Sequence, residues 1–123
     1  MATIVVAEDD PILRFLMKET LELAGHEVTA ASQGALALER ILDMPPALVI
    51  TDFDMPVMTG LGLAQAMQTH SETIHIPIIL VTGAHGALAR QYEHHFGEII
   101  DKPFTNTQLF GAVDRLLSAP QPD

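Results

Sequence analysis

Ile4-Val5-Val6-Ala7-Glu8-Asp9-Asp10-Pro11 is the stretch on which the reading of the chain turns. Its first four residues form an unbroken, mostly β-branched apolar run. A strand of that kind has no polar face and must be covered on both sides, as in a parallel sheet. Three acids follow at once. Asp10-Pro11 then opens a helix, with an acceptor side chain at the N-cap and proline at the first helical position. Strand, acid cluster and helix make the first β-α unit.

The same pairing recurs outward from there. Ala47-Leu48-Val49-Ile50 and Pro77-Ile78-Ile79-Leu80-Val81 are continuous apolar runs of strand length. Weaker strands are predicted at Glu27–Ala31 and Glu98–Asp101. The first helix should run through Leu23 and stop at Gly25, a natural residue for a left-handed C-terminal cap. Further helices are predicted over Gly34–Asp43, Leu61–Thr69, Ala87–Phe96 and Thr105–Leu117. Thr105 with Gln108 three residues on has the form of a capping box. Consecutive β-α units imply an α/β fold, a parallel sheet with helices on both sides joined by right-handed crossovers. Residues 1–119 form the expected domain, and Pro120-Gln121-Pro122-Asp123 reads as a tail or linker remnant.

The 123 residues amount to one ordinary domain, with no disulfide or structural metal needed for folding. Apolar residues make up 48% and charged residues 18%, a globular balance. Sixteen acids against six bases leave a formal charge of −10. Such a surface repels nucleic acid and anionic lipid at long range and suits a metal ion or a basic protein face. No apolar run approaches the ~20 residues that cross a bilayer, so a cytoplasmic location and no membrane association are expected.

In a doubly wound sheet the functional groups gather at the carboxyl ends of the strands. Glu8, Asp9 and Asp10 follow the first strand, Asp52 the third, Thr82 the fourth and Lys102 the fifth. Clustered carboxylates repel one another unless a cation sits among them, and hard oxygen ligands suit Mg²⁺. One carboxylate can then attack phosphorus and form an acyl phosphate, while the ammonium and the hydroxyl stabilise charge on the transferred group.

Those residues carry a family resemblance. Ile4 to Asp10, Asp52-Phe53-Asp54-Met55-Pro56 with Gly60, Leu80-Val81-Thr82-Gly83 and Asp101-Lys102-Pro103-Phe104 together resemble the response-regulator receiver domain over nearly the whole chain. The resemblance implies a flavodoxin-like doubly wound (βα)5 fold with strand order 2-1-3-4-5. It implies that Asp52 accepts a phosphoryl group from a phosphohistidine of a sensor histidine kinase or phosphotransfer protein, and that a downstream protein target reads the result. Mg²⁺ would be held by Glu8, Asp9, Asp52 and the backbone carbonyl of Asp54. Thr82 and Lys102 would contact phosphoryl oxygens, and Lys102-Pro103 would be a cis peptide bond. The chain would be a switch that catalyses its own phosphorylation and dephosphorylation rather than a conventional enzyme.

The sequence also departs from the pattern. Ile99 occupies the position, three before Lys102, where the family usually has an aromatic residue that follows the threonine. Tyr92 and Phe96 lie nearby but on the predicted fourth helix. Gly83 after Thr82 matches in part a subgroup of single-domain receivers found mainly in alphaproteobacteria. The stretch from Thr82 to Lys102 is shorter than the family implies, so a short or mobile fourth helix is expected. In the family, the residues two past the acceptor and two past the threonine, here Asp54 and Ala84, tune hydrolysis.

Other readings compete. Asp52-Phe53-Asp54 is a D-x-D, as in phosphatases of the haloacid-dehalogenase type, but too little chain follows it. A flavodoxin-like cofactor binder would have hydroxyl groups and glycine, not acids, after the first strand. A degenerate receiver that serves only for docking would be expected to lack some of the site residues. His85, His94 and His95 invite a metal reading, yet neighbours on an α-helix point about 100° apart. Met55, Met58 and Met67 read as loop and core filler. Arg14 and Lys18, four apart on the first helix, form either a cationic patch for a kinase or ordinary surface charge beside Asp10 and Glu22.

Overall fold

The computed structural model describes residues 2–118, so the expected tail at 120–123 lies outside the described residues. Five parallel strands form one sheet in the order β2-β1-β3-β4-β5. They are β1 (Thr3–Ala7), β2 (Glu27–Ala31), β3 (Leu48–Asp52), β4 (Ile78–Thr82) and β5 (Glu98–Asp101). The helices are α1 (Pro11–Leu23), α2 (Gly34–Asp43), α3 (Gly60–Met67), α4 (Gly86–Arg90) and α5 (Asn106–Ser118), with a 3₁₀ turn at Glu93–His95. The expected (βα)5 topology is the observed one.

Alternation along the strands divides the core in two. Ile4, Val6, Leu48, Ile50, Ile79 and Val81 point to the face covered by α1 and α5, where Met17, Leu21, Leu109, Ala112 and Val113 meet them. Val5, Ala7, Val49, Ile78 and Leu80 point to the other face, against Ala37 and Ile41 of α2, Leu63, Ala64 and Met67 of α3, and Ala89 of α4. Covering both faces is what the absence of polar residues in these runs required.

The helix ends follow their sequence signals. Asp10 accepts from the amides of Ile12 and Leu13. At the other end of α1, Gly25 has φ +97°, and the amides of Gly25 and His26 donate to the carbonyls of Glu22 and Leu21, which closes the helix in a Schellman motif. At α5 the Thr105 amide donates to Gln108 Oε1 at 2.8 Å, and the Gln108 amide donates to Thr105 Oγ1 at 3.1 Å. That reciprocal pair is the expected capping box.

Three expectations need correction. Asp52 and Thr82 are the last residues of β3 and β4 rather than the first residues after them. Each still pairs in the parallel ladder on one side, Asp52 with Val81 and Thr82 with Asp101, so the strands extend to the rim. The α3 helix is Gly60–Met67 instead of Leu61–Thr69. The helix predicted over Ala87–Phe96 is a five-residue α4 followed by the separate 3₁₀ turn, which agrees with the expectation of a short fourth helix.

Candidate phosphoryl-transfer site

Every strand end expected to contribute does so. Glu8 follows β1, and its amide donates to the Ala31 carbonyl of β2 at 3.1 Å. Asp52 ends β3 opposite Val81, and Thr82 ends β4 opposite Asp101. The Lys102 amide donates to the Thr82 carbonyl at 2.7 Å, which carries Lys102 just beyond β5 to the same rim. The Lys102-Pro103 peptide is cis, as the family resemblance implied.

The carboxylates of Glu8, Asp9 and Asp52 each place an oxygen within 4.8 Å of the others. Glu8 is 1% exposed and Asp52 5%. Lys102 Nζ lies 3.0 Å from Glu8 Oε1 and 3.3 Å from Asp52 Oδ1. Glu8 Oε2 accepts from the Asp10 amide at 3.1 Å, whereas Oε1 has the ion pair but no aligned hydrogen bond.

This geometry dictates the electrostatics. Burial pushes the Glu8 carboxyl up to about 7, against the pull of the Asp10 amide and Lys102. Burial also raises Asp52, against Lys102, with Asp9 adding to the rise. For Lys102, burial disfavours the charge, but Glu8 and Asp52 outweigh it and hold the ammonium above its ordinary value. Three carboxylates thus face one ammonium in a partly dehydrated pocket. A hard divalent cation fits such an oxygen donor set, and the donor types are those of Mg²⁺.

Thr82 is completely buried, and its Oγ1 has no hydrogen-bond partner. Its hydroxyl is therefore free to donate to a group that enters the site. Gly60 lets α3 start directly against Asp52: a Cβ there would collide with the Asp52 carbonyl and lie 3.0 Å from Leu80 Cδ1.

Around this centre the structure places residues whose roles the sequence left open. The Arg14 guanidinium donates to the Glu8 carbonyl at 3.0 Å and so straps the acidic loop to α1. Lys18 pairs instead with Glu22 at 2.6 Å on the exposed face. Asp54, two residues past Asp52, accepts from His85 Nδ1, which is 2.9 Å from each carboxylate oxygen. Sequence reasoning missed that pair; the only signal was that both loops leave neighbouring strands.

His94 and His95 have ring centroids 4.2 Å apart. They sit on the 3₁₀ turn, where adjacent residues diverge by about 120°, and they are not part of the cation-holding group found among the described residues, which is Glu8, Asp9 and Asp52. Tyr92 and Ile99 pack at the edge of the cluster that holds Phe96, Ala89 and Leu80. The position three before Lys102 is thus aliphatic, and it packs against the same core cluster as Tyr92.

Val57 has φ +69°, and the Met58 amide donates to the Pro56 carbonyl at 2.7 Å. That is a γ-turn centred on a β-branched residue, in the loop that leads from Asp52 to α3. Nothing in the sequence announced it, since proline and glycine flank the turn rather than occupy its centre.

Comparison with known proteins agrees with this geometry. The family model described as response regulator receiver domain matches residues 4–114. The response regulator receiver protein CpdR of Brucella abortus is 31% identical over 119 residues, which span 97% of this chain and 99% of that protein. The structure of the chemotaxis response regulator CheY4 of Vibrio cholerae superposes with a TM-score of 0.86 at 29% identity, covering 94% of this chain and 98% of that one. The receiver domain of the sensor histidine kinase PA1611 of Pseudomonas aeruginosa, at 20% identity, shares the fold with a TM-score of 0.89 over 96% of this chain and 98% of its own. That structure carries a magnesium ion coordinated in its active-site cleft.

Proposed function

Because this chain belongs to the response regulator receiver family of two-component signalling, we propose that Asp52 is its phosphoacceptor and that Glu8, Asp9, Thr82 and Lys102 complete the site. The observation that carries the reading is the convergence of three carboxylates and one ammonium on the carboxyl edge of the sheet, with a buried, unpartnered threonine hydroxyl at the same rim.

The chemistry follows from the residues. An Asp52 carboxylate oxygen attacks the phosphorus of a phosphohistidine or small phosphodonor, the bond to the leaving nitrogen or oxygen breaks, and an acyl phosphate remains on Asp52. Lys102, already within 3.3 Å of Asp52, neutralises one transferred oxygen. Thr82 Oγ1–H, which has no partner among the described groups of the protein, can donate to another of the transferred oxygens. Receiver domains bind Mg²⁺ in this acidic pocket; here Glu8, Asp9 and Asp52 would hold it, with the Asp54 carbonyl as a further ligand. When bound, the ion offsets charge that builds on the transferring oxygens.

The partner face lies alongside. Ile12, Phe15 and Leu16 of α1 are exposed apolar residues. Ile12 and Leu16, with Leu13, Phe104 and Lys102, line a cleft of about 520 Å³. A helix that presents a phosphohistidine would cover this surface while its imidazole reaches Asp52. The presence of every expected site type argues against a docking-only role.

The test is the intact mass of the protein after incubation with acetyl phosphate, with and without Mg²⁺, beside Asp52→Asn. A Mg²⁺-dependent gain of one phosphoryl group, absent in the variant, is the expected result. Undiminished labelling of the variant would falsify the assignment.

A further inference from the structure

We propose that Arg14 is a positioning residue for the metal pocket: it holds the peptide groups on either side of Asp9 and so sets how tightly Mg²⁺ binds. The inference rests on the reading of Glu8, Asp9 and Asp52 as the Mg²⁺ ligands beside the phosphoacceptor.

The three acids are not held equally. Glu8 and Asp52 are buried, and both lie against Lys102 Nζ, at 3.0 and 3.3 Å. Glu8 is fixed further by the Asp10 amide on its Oε2 and by its own amide on the Ala31 carbonyl. Asp52 is the last residue of β3, in register with Val81. Asp9 belongs to no strand or helix, is exposed, and has no ion pair among the described residues. Yet its carboxylate lies within 4.8 Å of the other two. Like charges that close push the least anchored member outward. With no cation to hold its side chain, the place of Asp9 in the group depends on its backbone.

Arg14 supplies that hold. Its Nη1 donates to the Glu8 carbonyl at 3.0 Å and, in a longer contact, to the Asp9 carbonyl at 3.5 Å. These carbonyls belong to the two peptide groups that flank Asp9. A residue has only two soft dihedrals, and they turn those two groups. One guanidinium on both carbonyls therefore restrains φ and ψ of Asp9 together, and with them the direction of its Cβ. The other end of the strap is firm. Arg14 sits one turn into α1, with its amide on the Asp10 carbonyl at 2.9 Å. Helical side chains lean toward the N-terminus, which here is the acidic loop. Met17 and Leu21 fix α1 to the sheet.

The sign of the effect separates positioning from charge. A cation beside a site for a divalent ion opposes that ion, so removal of charge alone would tighten Mg²⁺ binding. Loss of a strap acts the other way, because Asp9 must then be gathered in against repulsion as the ion binds. A residue that served only to dock a kinase would alter neither.

The experiment uses the whole chain. Arg14→Met removes the donors but keeps most of the stem, and Arg14→Lys keeps the charge without the planar fork. Calorimetric titration with Mg²⁺ alone, free of any phosphodonor, reads the affinity. Both variants should bind about fivefold more weakly than the parent, the factor one net hydrogen bond supplies. With acetyl phosphate, intact mass should show the Mg²⁺ concentration for half-maximal uptake raised by the same factor. The rate at saturating Mg²⁺ should return to that of the parent, a split that general loosening of the fold does not produce. Unchanged or tighter binding in Arg14→Met, parental affinity in Arg14→Lys, or a lower saturated rate at unchanged affinity would each overturn the strap. A parent that binds no Mg²⁺ would overturn it together with the site it serves. A parent that binds Mg²⁺ but gains no phosphoryl group would overturn the phosphoacceptor reading alone, and the calorimetric comparison would still decide the role of Arg14.

Discussion

Lys102 and Glu8 form an ion pair of 3.0 Å in which the carboxylate is almost wholly dehydrated and the ammonium also reaches Asp52. Two buried acids thus share one cation, and the resting site is held together by the group that phosphorylation is proposed to recruit.

Replacing that cation should be costly. Lys102→Met leaves Glu8 and Asp52 facing each other without compensation. Breaking one side of a buried pair costs about 3–5 kcal/mol in general; partial exposure of the ammonium brings the expectation here to about 2–4 kcal/mol. Urea unfolding of the metal-free protein near pH 8 measures it. The loss should shrink near pH 5.5, where the carboxyl groups can take up a proton instead. Equal stability of variant and parent at both pH values would contradict the ion-pair account.

Glu8 gives the metal-free protein a definite pH dependence. Its folded value, about 7, lies above the ordinary carboxyl value of 4.5. The folded state therefore binds more protons than the unfolded chain between those values. The stability this group contributes is complete below the ordinary value and is lost as pH rises through about 7. Mg²⁺ requires the ionised carboxylate, so its affinity should climb from pH 6 to pH 8 with proton release. Calorimetric titrations in buffers of different ionisation enthalpy report both; a flat affinity with no proton release would count against the site as described.

Thr82→Val should leave the resting protein as stable as the parent, or stabilise it by about 1 kcal/mol, because it removes a buried hydroxyl that has no partner. Phosphorylation should continue in this variant. Its chemical shifts on phosphorylation, followed by NMR at residues 82–92, should be much smaller than those of the parent. Shifts of parental size would remove Thr82 from the switching role.

Val57→Gly should stabilise the fold. The side chain is 94% exposed and φ is +69°, so glycine relieves a strained turn without loss of packing. Against the greater chain entropy of glycine when unfolded, a net gain of about 1 kcal/mol is expected. The urea midpoint would show it, and a lower midpoint would mean that the turn is held by something other than its own backbone.

What the sequence made legible was whatever depends on local pattern. Apolar runs such as Ile4–Ala7 located the strands, and Asp10-Pro11 and Thr105 with Gln108 marked helix starts, because caps act within one turn. The site residues were legible for a topological reason: strand ends of a parallel sheet converge wherever they occur in the chain. The bridge between Asp54 and His85 was not, since it joins residues 31 positions apart and depends on where two loops happen to pass. The brevity of α4 was visible in its spacing, but the exact end was not. Alanines and leucine through Leu88 favour a helix, and the segment tightens into a 3₁₀ turn only where Phe96 must reach the core. Arg14 read as either a kinase-facing cation or surface charge, because a guanidinium on a helix gives no hint that it folds back onto a carbonyl.

The five-residue α4 also bears on how much work the protein must do to signal. A helix this short closes few intrahelical bonds, the first of them from the Ala89 amide to the His85 carbonyl. Segments of so few bonds open at a small fraction of the global unfolding free energy. A rearrangement that begins at the β4–α4 loop therefore meets little resistance there and leaves the β1–β3 half of the sheet intact. A change proposed to start at Asp52 would then fall first on the surface around residues 85–96, where only a five-residue helix and one 3₁₀ turn have to give.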